Sequence, residues 1–214
     1  MTKMFTKIQR MSLAIVLFSG FMAISNIQFS SPAVSAESNI RISKIKVRYA
    51  EDADINWWAA EREYMNKYHG SSDVAELKEP GEDLSDAYIR ISKGPKAMHW
   101  IKKKLTRLVK ASLRRDVVSH FSGRKGVVLD IKIKEFFVPD PARRIMLGGF
   151  PELHFVTTAR YARNGRVIGT YDQKVLALAL GGSGVVADQL FPDLEERIMD
   201  NYEEDIIAML VDNA

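Results

Sequence analysis

Four segments of the chain show the alternation of apolar and polar side chains that is typical of half-buried β-strands. The apolar phase of the first segment changes after Ile42 and resumes at Ile45. This change predicts either a β-bulge at Ser43 and Lys44 or a late start of the strand. The predicted strands cover 40–49, 127–134, 152–162 and 166–178.

The dipeptide Asn164-Gly165 separates the third and fourth predicted strands. Asn-Gly is the preferred sequence of a two-residue type I′ turn, because both central residues of that turn have positive φ. The sequence therefore predicts a β-hairpin at this point.

Two segments show helical periodicity instead. The first covers 96–120, and Ser122 and Gly123 end it. Pro192 and Asp193 begin the second, close to the end of the chain. The apolar side of the first predicted helix carries Met98, Ile101, Leu105, Leu108, Val109 and Ser112. The apolar stripe of the second carries Leu194, Ile198, Tyr202, Ile206 and Met209.

The order of these elements predicts the fold class. Residues 50–95 give weaker signals, with one short helix at 57–67, and we expect an excursion that packs on the domain. Residues 136–150 contain two prolines and two glycines and read as a loop. We predict an α+β fold: a two-layer sandwich with a mainly antiparallel sheet of about four strands and two long helices on one face.

The first 36 residues have the order of a signal peptide: a basic leader, an apolar run and small residues at Ala33-Val34-Ser35-Ala36. The apolar run, from Met11 to Ile24, is shorter than the roughly 20 residues that span a bilayer. We expect cleavage before Glu37, a single domain at 37–214 with no transmembrane segment, and a periplasmic or secreted location. An uncleaved membrane anchor is the alternative.

Charge and cysteine content exclude several classes of protein. The chain has 31 basic and 27 acidic residues, and three of the basic ones lie in the leader. The mature domain, with 28 basic and 27 acidic residues, is therefore nearly neutral, and we expect no nucleic-acid partner. The chain has no cysteine, which excludes disulfides, zinc–thiolate sites and a cysteine nucleophile.

The strand and turn pattern from Gly126 to Gly182 carries a resemblance. It comprises the run Gly126-Val127-Val128-Leu129-Asp130-Ile131-Lys132-Ile133, then His154-Phe155-Val156, Asn164-Gly165-Arg166-Val167 and Gly181-Gly182. This pattern resembles a family of uncharacterised bacterial secreted and lipoprotein-type envelope proteins. It is more distantly similar to auxiliary lipoproteins of ABC transporters and to TolB amino-terminal-like domains. The resemblance implies a fold and a compartment, and it brings no catalytic residue.

Motifs for catalysis, cofactors and metals are weak. The four histidines, at positions 69, 99, 120 and 154, lack the spacing of a metal site, and His154 is expected to be a half-buried pairing residue. The glycine-rich run 181–184 lacks the residues of a P-loop, a dinucleotide fingerprint or a nucleophile elbow. A carboxylate pair could come from Asp52, Asp54, Glu61 and Glu63. We predict no catalytic, cofactor-binding or metal-binding residue.

The predicted helix at 96–120 has the most unusual surface. Eight basic residues and no acidic one lie between Lys96 and Arg115. A basic row with an aromatic side chain can bind anionic lipid, a polyanionic glycan or a nucleic acid, or it can be a solvated face. The candidate anion-binding residues are Trp100, Lys103, Arg107, Lys110 and Arg114.

Two further features leave alternatives open. Trp57 and Trp58 cannot share one face of a helix or strand. Either one ring is exposed and available for binding, or both rings cap the edges of the core. The last predicted helix is acidic, with Glu195, Glu196, Asp200, Glu203, Glu204 and Asp205. It could pair with the basic helix inside the molecule, or two copies could meet through these faces.

These observations favour an exported, non-catalytic envelope module that supports envelope assembly or transport by binding another envelope component. One alternative is a carboxylate-based hydrolase acting on an envelope polymer, with Trp57, Trp58 and Asp54 in a cleft. The other is a binder of anionic lipid or glycan through residues 96–115. No cofactor is expected in any of the three cases.

Overall fold

The computed structural model describes residues 39–140, 150–176 and 194–214. The strands in these ranges are β1 (Ile40–Trp57), β2 (Lys125–Val138), β3 (Glu152–Tyr161) and β4 (Val167–Leu176). The helices are α1 (Trp58–Tyr68), α2 (Ser71–Glu76), α3 (Leu84–Ser92), α4 (Pro95–Leu113) and α5 (Leu194–Asn213). The predicted leader, the glycine-rich run 181–184 and the predicted start of the last helix at Pro192 lie outside these ranges.

The four strands form one sheet in the order β1-β2-β3-β4. β1 and β2 are parallel, whereas β2 with β3 and β3 with β4 are antiparallel. Because parallel neighbours need a crossover connection, the four helices between β1 and β2 form that connection. The predicted α+β class with a four-stranded sheet is confirmed.

β1 is longer than its apolar pattern predicts. It continues beyond Tyr49 to Trp57, so residues 50–57 belong to the sheet and only residues 58–95 leave it. The register of β1 against β2 shifts between Ile42 and Lys44, which places the predicted bulge at Ser43. The Ser43 hydroxyl donates a hydrogen bond to the Val127 carbonyl at 2.9 Å. A second shift, between Tyr49 and Asp54, interrupts the alternation there and explains why the end of the strand is hard to detect.

One hydrophobic core lies between the sheet and the two long helices. Its strand side includes Leu129 and Ile131 of β2 and Phe155 of β3, which are fully buried. α4 packs on it through Ile101, Leu105 and Val109, and α5 through Ile198, Met199, Tyr202, Ile206 and Leu210. β2 also runs on to Val138, so Phe136 to Val138 are part of a strand and not of the predicted loop.

The hairpin between β3 and β4 is present, but its turn differs from the predicted one. The Tyr161 amide donates to the Arg166 carbonyl at 2.9 Å, which leaves four residues in the loop. Gly165 has a φ of 71°, whereas Asn164 has a negative φ, so the turn is not type I′. The Asn164 side chain instead accepts a hydrogen bond from the Arg166 amide at 3.1 Å.

Helices α1 to α3 pack on one another and on the start of α4. A small second core contains Tyr64, Met65, Val74, Ala87 and Ala97. Arg90 of α3 forms an ion pair with Glu82 at 2.9 Å. Lys93, the C-cap residue of α3, forms an ion pair with Glu61 at 2.6 Å. Among the described helices none combines the length and the apolar character needed to cross a bilayer.

Candidate functional site

The predicted basic side chains form one row on the solvent side of α4. We call Lys103, Arg107, Lys110 and Arg114 the basic stripe. Spacings of three and four residues place them on one face of the helix, opposite the buried Ile101, Leu105 and Val109. Lys110 is half-buried and the other three are exposed. Within the described ranges, none of the four makes an ion pair or a side-chain hydrogen bond.

Two of the other four basic residues at 96–115 have acidic partners, and a third, Lys102, lies over the ring of Tyr49 with its ammonium 5.1 Å from the ring centre. Lys104 pairs with Glu63 of α1, and Arg115 pairs with Glu196 and Asp200 of α5, at 2.8 and 3.4 Å. Arg115 therefore makes an ionic contact between the basic and acidic helices, which is one of the two alternatives left open by the sequence, and the described residues leave the basic stripe uncovered.

Trp100 lies beside the basic stripe but is not part of its exposed face. Its ring is half-buried and packs against Tyr64 and Tyr68, with ring centroids 5.8 and 6.5 Å away. The Lys104 ammonium lies 5.6 Å from the centre of the ring. These contacts hold α1 against α4, so Trp100 has a packing role in addition to its position at the edge of the stripe.

The two adjacent tryptophans point into different environments. Trp57 is 4% exposed, its ring contacts Phe136 edge-on at 5.4 Å, and its indole nitrogen donates to Glu195 at 2.8 Å. Trp58 is half-buried, with the Arg62 guanidinium 5.3 Å from its ring centre. Trp57 therefore belongs to the core and ties the end of β1 to α5.

After Leu113, α4 widens into a π-helical turn, Arg114–Val118. Turns of this kind are rare and often lie near functional sites. This one directs Asp116 toward Glu203 of α5, which is 2% exposed. The Ser112 hydroxyl donates a hydrogen bond to Glu203, and the carboxyl group of Glu203 hydrogen-bonds the carboxylate of Asp116.

Burial raises the pKa of Glu203 to about 7; the hydrogen bond from Ser112 opposes this shift, and the hydrogen bond to Asp116 adds to it. The same hydrogen bond, together with Arg115, lowers the pKa of Asp116. Glu203 therefore holds a proton at mildly acidic pH, and Asp116 carries the negative charge of the pair. The sequence does not reveal this pair, because Ser112 lies within the apolar stripe of α4 and Glu203 lies among the charged residues of the last helix.

The carboxylates of Asp116, Asp200 and Glu203 lie within 4.8 Å of one another, and such a group could hold a metal ion. Arg115, however, already pairs with Asp116 at 2.7 Å and also with Asp200, while Ser112 bonds Glu203. These contacts offset only part of the negative charge of the group.

Among the described residues, the histidines and the carboxylates at 52–63 form no group of three that could hold a metal ion, although Asn56 and Lys93 link Asp54 to Glu61. His154 is half-buried and bonds Asp172 at 2.7 Å, as expected for a pairing residue. Glu61 bonds Lys93 at 2.6 Å and Glu63 bonds Lys104. Asp54 is exposed and accepts a hydrogen bond from Asn56 at 2.5 Å.

A cleft of about 700 Å³ opens between α4 and the first turns of α5. We call it the α4–α5 cleft. Arg107 of the basic stripe is one of its lining residues, so the stripe and the cleft adjoin. The lining is formed by Trp57, Ala59, Lys104, Arg107, Leu108, Ala111, Ser112, Arg115, Glu195, Glu196 and Met199.

Comparisons with known proteins identify no family. No family model matches the chain, and no curated protein matches it. Among solved structures, the chain is similar to a candidate lipoprotein from Caulobacter crescentus CB15. That similarity has 20% identity and a TM-score of 0.31 and covers 50% of this chain and 80% of that protein. Values this low do not transfer a function.

Proposed function

We propose that this protein is an exported, non-catalytic module of the cell envelope that binds another envelope component, an anionic lipid surface, through α4. The observation that carries the proposal is the basic stripe: Lys103, Arg107, Lys110 and Arg114 have no ionic partner in the described parts of the chain. The leader pattern of residues 1–36 supports export.

The stripe concentrates four cations, unpaired among the described residues, on one face of α4. The domain has nearly equal numbers of acidic and basic residues, and neighbouring cations such as Lys104 and Arg115 find acidic partners. A row of four cations on one helix face, without a compensating anion, creates a local positive potential. Such a row attracts an anionic membrane surface with about 1 kcal/mol per basic residue near that surface.

The hydrolase alternative finds less support. A glycosidase-type mechanism needs two carboxylates that face each other across a bound sugar. Glu61 and Glu63 bind different lysines, and Asp54 and Glu61 are linked through the side chains of Asn56 and Lys93. Trp57 is 4% exposed, and its ring already contacts Phe136 and the Lys104 ammonium, so it offers no free face on which a sugar could stack.

The test is binding of the protein, in the form the cell produces, to vesicles of phosphatidylglycerol and phosphatidylcholine. Reversing Lys103 and Arg107 to Glu should weaken binding by roughly thirtyfold or more, since about 2 kcal/mol of attraction is lost. Added salt should weaken binding of the unmodified protein, because salt screens exposed charges. Thermal unfolding should change little, since exposed charges contribute about 0 to 1 kcal/mol each.

The matched control reverses Lys44 and Lys46, which are exposed and unpaired on β1 among the described residues. This variant has the same net charge as the first, and it should bind almost as well as the unmodified protein. Equal losses in the two variants would reduce the effect to net charge and contradict a site on α4. No salt-sensitive binding by the unmodified protein would also contradict the proposal, and unfolding of the stripe variant would assign the stripe an internal role.

A further inference from the structure

The α4–α5 cleft runs from solvent to the core. Trp57, Ser112 and Met199 are its buried lining residues, whereas Arg107 and Arg115 are exposed at its opening. Its volume of about 700 Å³ lies within the range of roughly 300 to 1,000 Å³ that is usual for small-molecule sites.

The described lining of the cleft carries three cations and two carboxylates, and one of the carboxylates, Glu195, accepts the indole hydrogen bond of Trp57. Two of the three cations have acidic partners. Lys104 is held by Glu63, and Arg115 is held by Glu196. Arg107 alone among the cations of the lining has no acidic partner in the described ranges. A ligand that matches this opening therefore carries a negative group, and a guanidinium is well suited to bind a phosphate through two parallel hydrogen bonds.

The inner lining is suited to an aliphatic group and not to a sugar. Sugars stack on a free aromatic face, but the ring of Trp57 is occupied by Phe136 at its edge and by the Lys104 ammonium 5.1 Å from its centre. The indole nitrogen is already bonded to Glu195. The remaining apolar lining is aliphatic and comes from Ala59, Leu108, Ala111 and Met199.

We propose that the α4–α5 cleft binds one acyl chain of an anionic lipid and that Arg107 binds the headgroup of the same molecule. The inference rests on the proposed function and deepens it, because Arg107 belongs to both the basic stripe and the cleft. The stripe then brings the protein to an anionic surface, and the cleft takes up a single lipid from it.

The test uses three soluble probes below their micelle-forming concentrations, with binding measured by calorimetry. Lysophosphatidylglycerol has one chain and an anionic headgroup, lysophosphatidylcholine has one chain and a zwitterionic headgroup, and glycerophosphoglycerol has the headgroup without a chain. Both lysolipids offer Arg107 a phosphate, but the choline group of the second brings a positive charge beside Arg107 and Arg115. We therefore expect the first to bind about tenfold more tightly than the second. The third should bind most weakly, because it buries no chain.

Two variants locate the site. Ala111 is exposed in the cleft lining, and Ala111→Phe fills the cleft without changing charge. It should weaken lysophosphatidylglycerol binding by at least about tenfold, the loss expected when two methylene groups are excluded. The matched control, Ala208→Phe, alters an exposed alanine of α5 outside the lining and should bind normally. Arg107→Gln should remove the preference for the anionic probe.

The outcomes separate the two proposals. If Ala111→Phe binds lysophosphatidylglycerol as well as the unmodified protein does, or if the unmodified protein does not bind it, the cleft is not a lipid site. The proposed function still stands in that case if salt-sensitive vesicle binding depends on Lys103. Loss of probe binding in Ala111→Phe with unchanged vesicle binding supports both proposals.

Discussion

Glu203 occupies a position on α5 whose neighbours on the same face are apolar. Met199, Ile206 and Leu210 lie one or two turns away, and all are buried. A carboxyl group among them is costly unless it is neutral or hydrogen-bonded. Ser112 and Asp116 provide the hydrogen bonds, and the raised pKa lets Glu203 remain neutral. The proton on Glu203 is therefore part of the packing between α4 and α5.

This arrangement predicts that stability falls as pH rises through about 7. The pKa of Glu203 is raised from 4.5 to about 7 in the folded protein, so its contribution is complete below pH 4.5 and is lost as the group ionises near pH 7. The lowered pKa of Asp116 acts at lower pH, where its stabilising contribution is lost on acidification. We expect the free energy of unfolding to fall by about 2 kcal/mol between pH 5 and pH 8.

The measurement is urea unfolding across this pH range for the unmodified protein and for Glu203→Gln. Glutamine keeps the size and hydrogen bonds of the neutral carboxyl group but cannot ionise. Its stability should therefore be nearly constant where that of the unmodified protein falls. The groups around Glu203, namely Asp116, Arg115, Asp200 and Glu196, are the same in both proteins. Parallel pH profiles would show that Glu203 does not hold the proton.

At the scale of elements, β2 is an inner strand of the sheet, and one of its faces is fully buried. It lies between β1 and β3, and its alternating residues Val127, Leu129, Ile131 and Ile133 are fully buried. Its other face carries Val128, Asp130 and Lys132, which are only half-buried. The strict alternation made this strand easy to predict, because each strand residue faces either the helices or the opposite side.

Leu129→Ala and Ile131→Ala should each lower the free energy of unfolding by roughly 2 to 5 kcal/mol, because each leaves a cavity under the helices. The control is Val128→Ala on the opposite face of the same strand, which should cost well under that amount. Chemical denaturation of the three variants at one pH measures the difference. Losses below about 0.5 kcal/mol at both Leu129 and Ile131 would contradict the assignment of the buried face.

Other elements show where local pattern is insufficient. The phase change at Ser43 predicted a bulge because an extra residue shifts every later side chain to the other face. The same reasoning failed beyond Tyr49, where the register shift of β1 hides its continuation. The Asn164-Gly165 pair predicted the hairpin, but the loop length is set by the Tyr161–Arg166 pairing. The parallel pairing of β1 with β2 could not be predicted from a local pattern, because it joins segments that are distant in the sequence.

At the scale of the whole molecule, the two long helices carry opposite charges: α4 carries the basic stripe, and α5 is acidic. α5 places its acidic side chains against partners in the domain: Glu195 on Trp57, Glu196 and Asp200 on Arg115, and Asp205 on Tyr171. The stripe on α4 was predictable because exposed positions follow from helical periodicity. The cleft and the Glu203 pair were not, since both arise only when α5 packs beside the π-helical turn of α4.

The predicted cleavage site for export lies just before the first strand. The leader pattern predicts cleavage after Ala36, and β1 begins at Ile40, a residue that is 1% exposed. Cleavage there leaves Ile40 and the whole first strand intact. Amino-terminal sequencing of the exported protein should therefore begin at Glu37, and Ala36→Lys should block processing because the peptidase requires small residues near its cut. A conservative Ala36→Gly variant should still be processed. Recovery of the unmodified protein as an intact Met1 species in the membrane would contradict cleavage and identify the leader as an anchor.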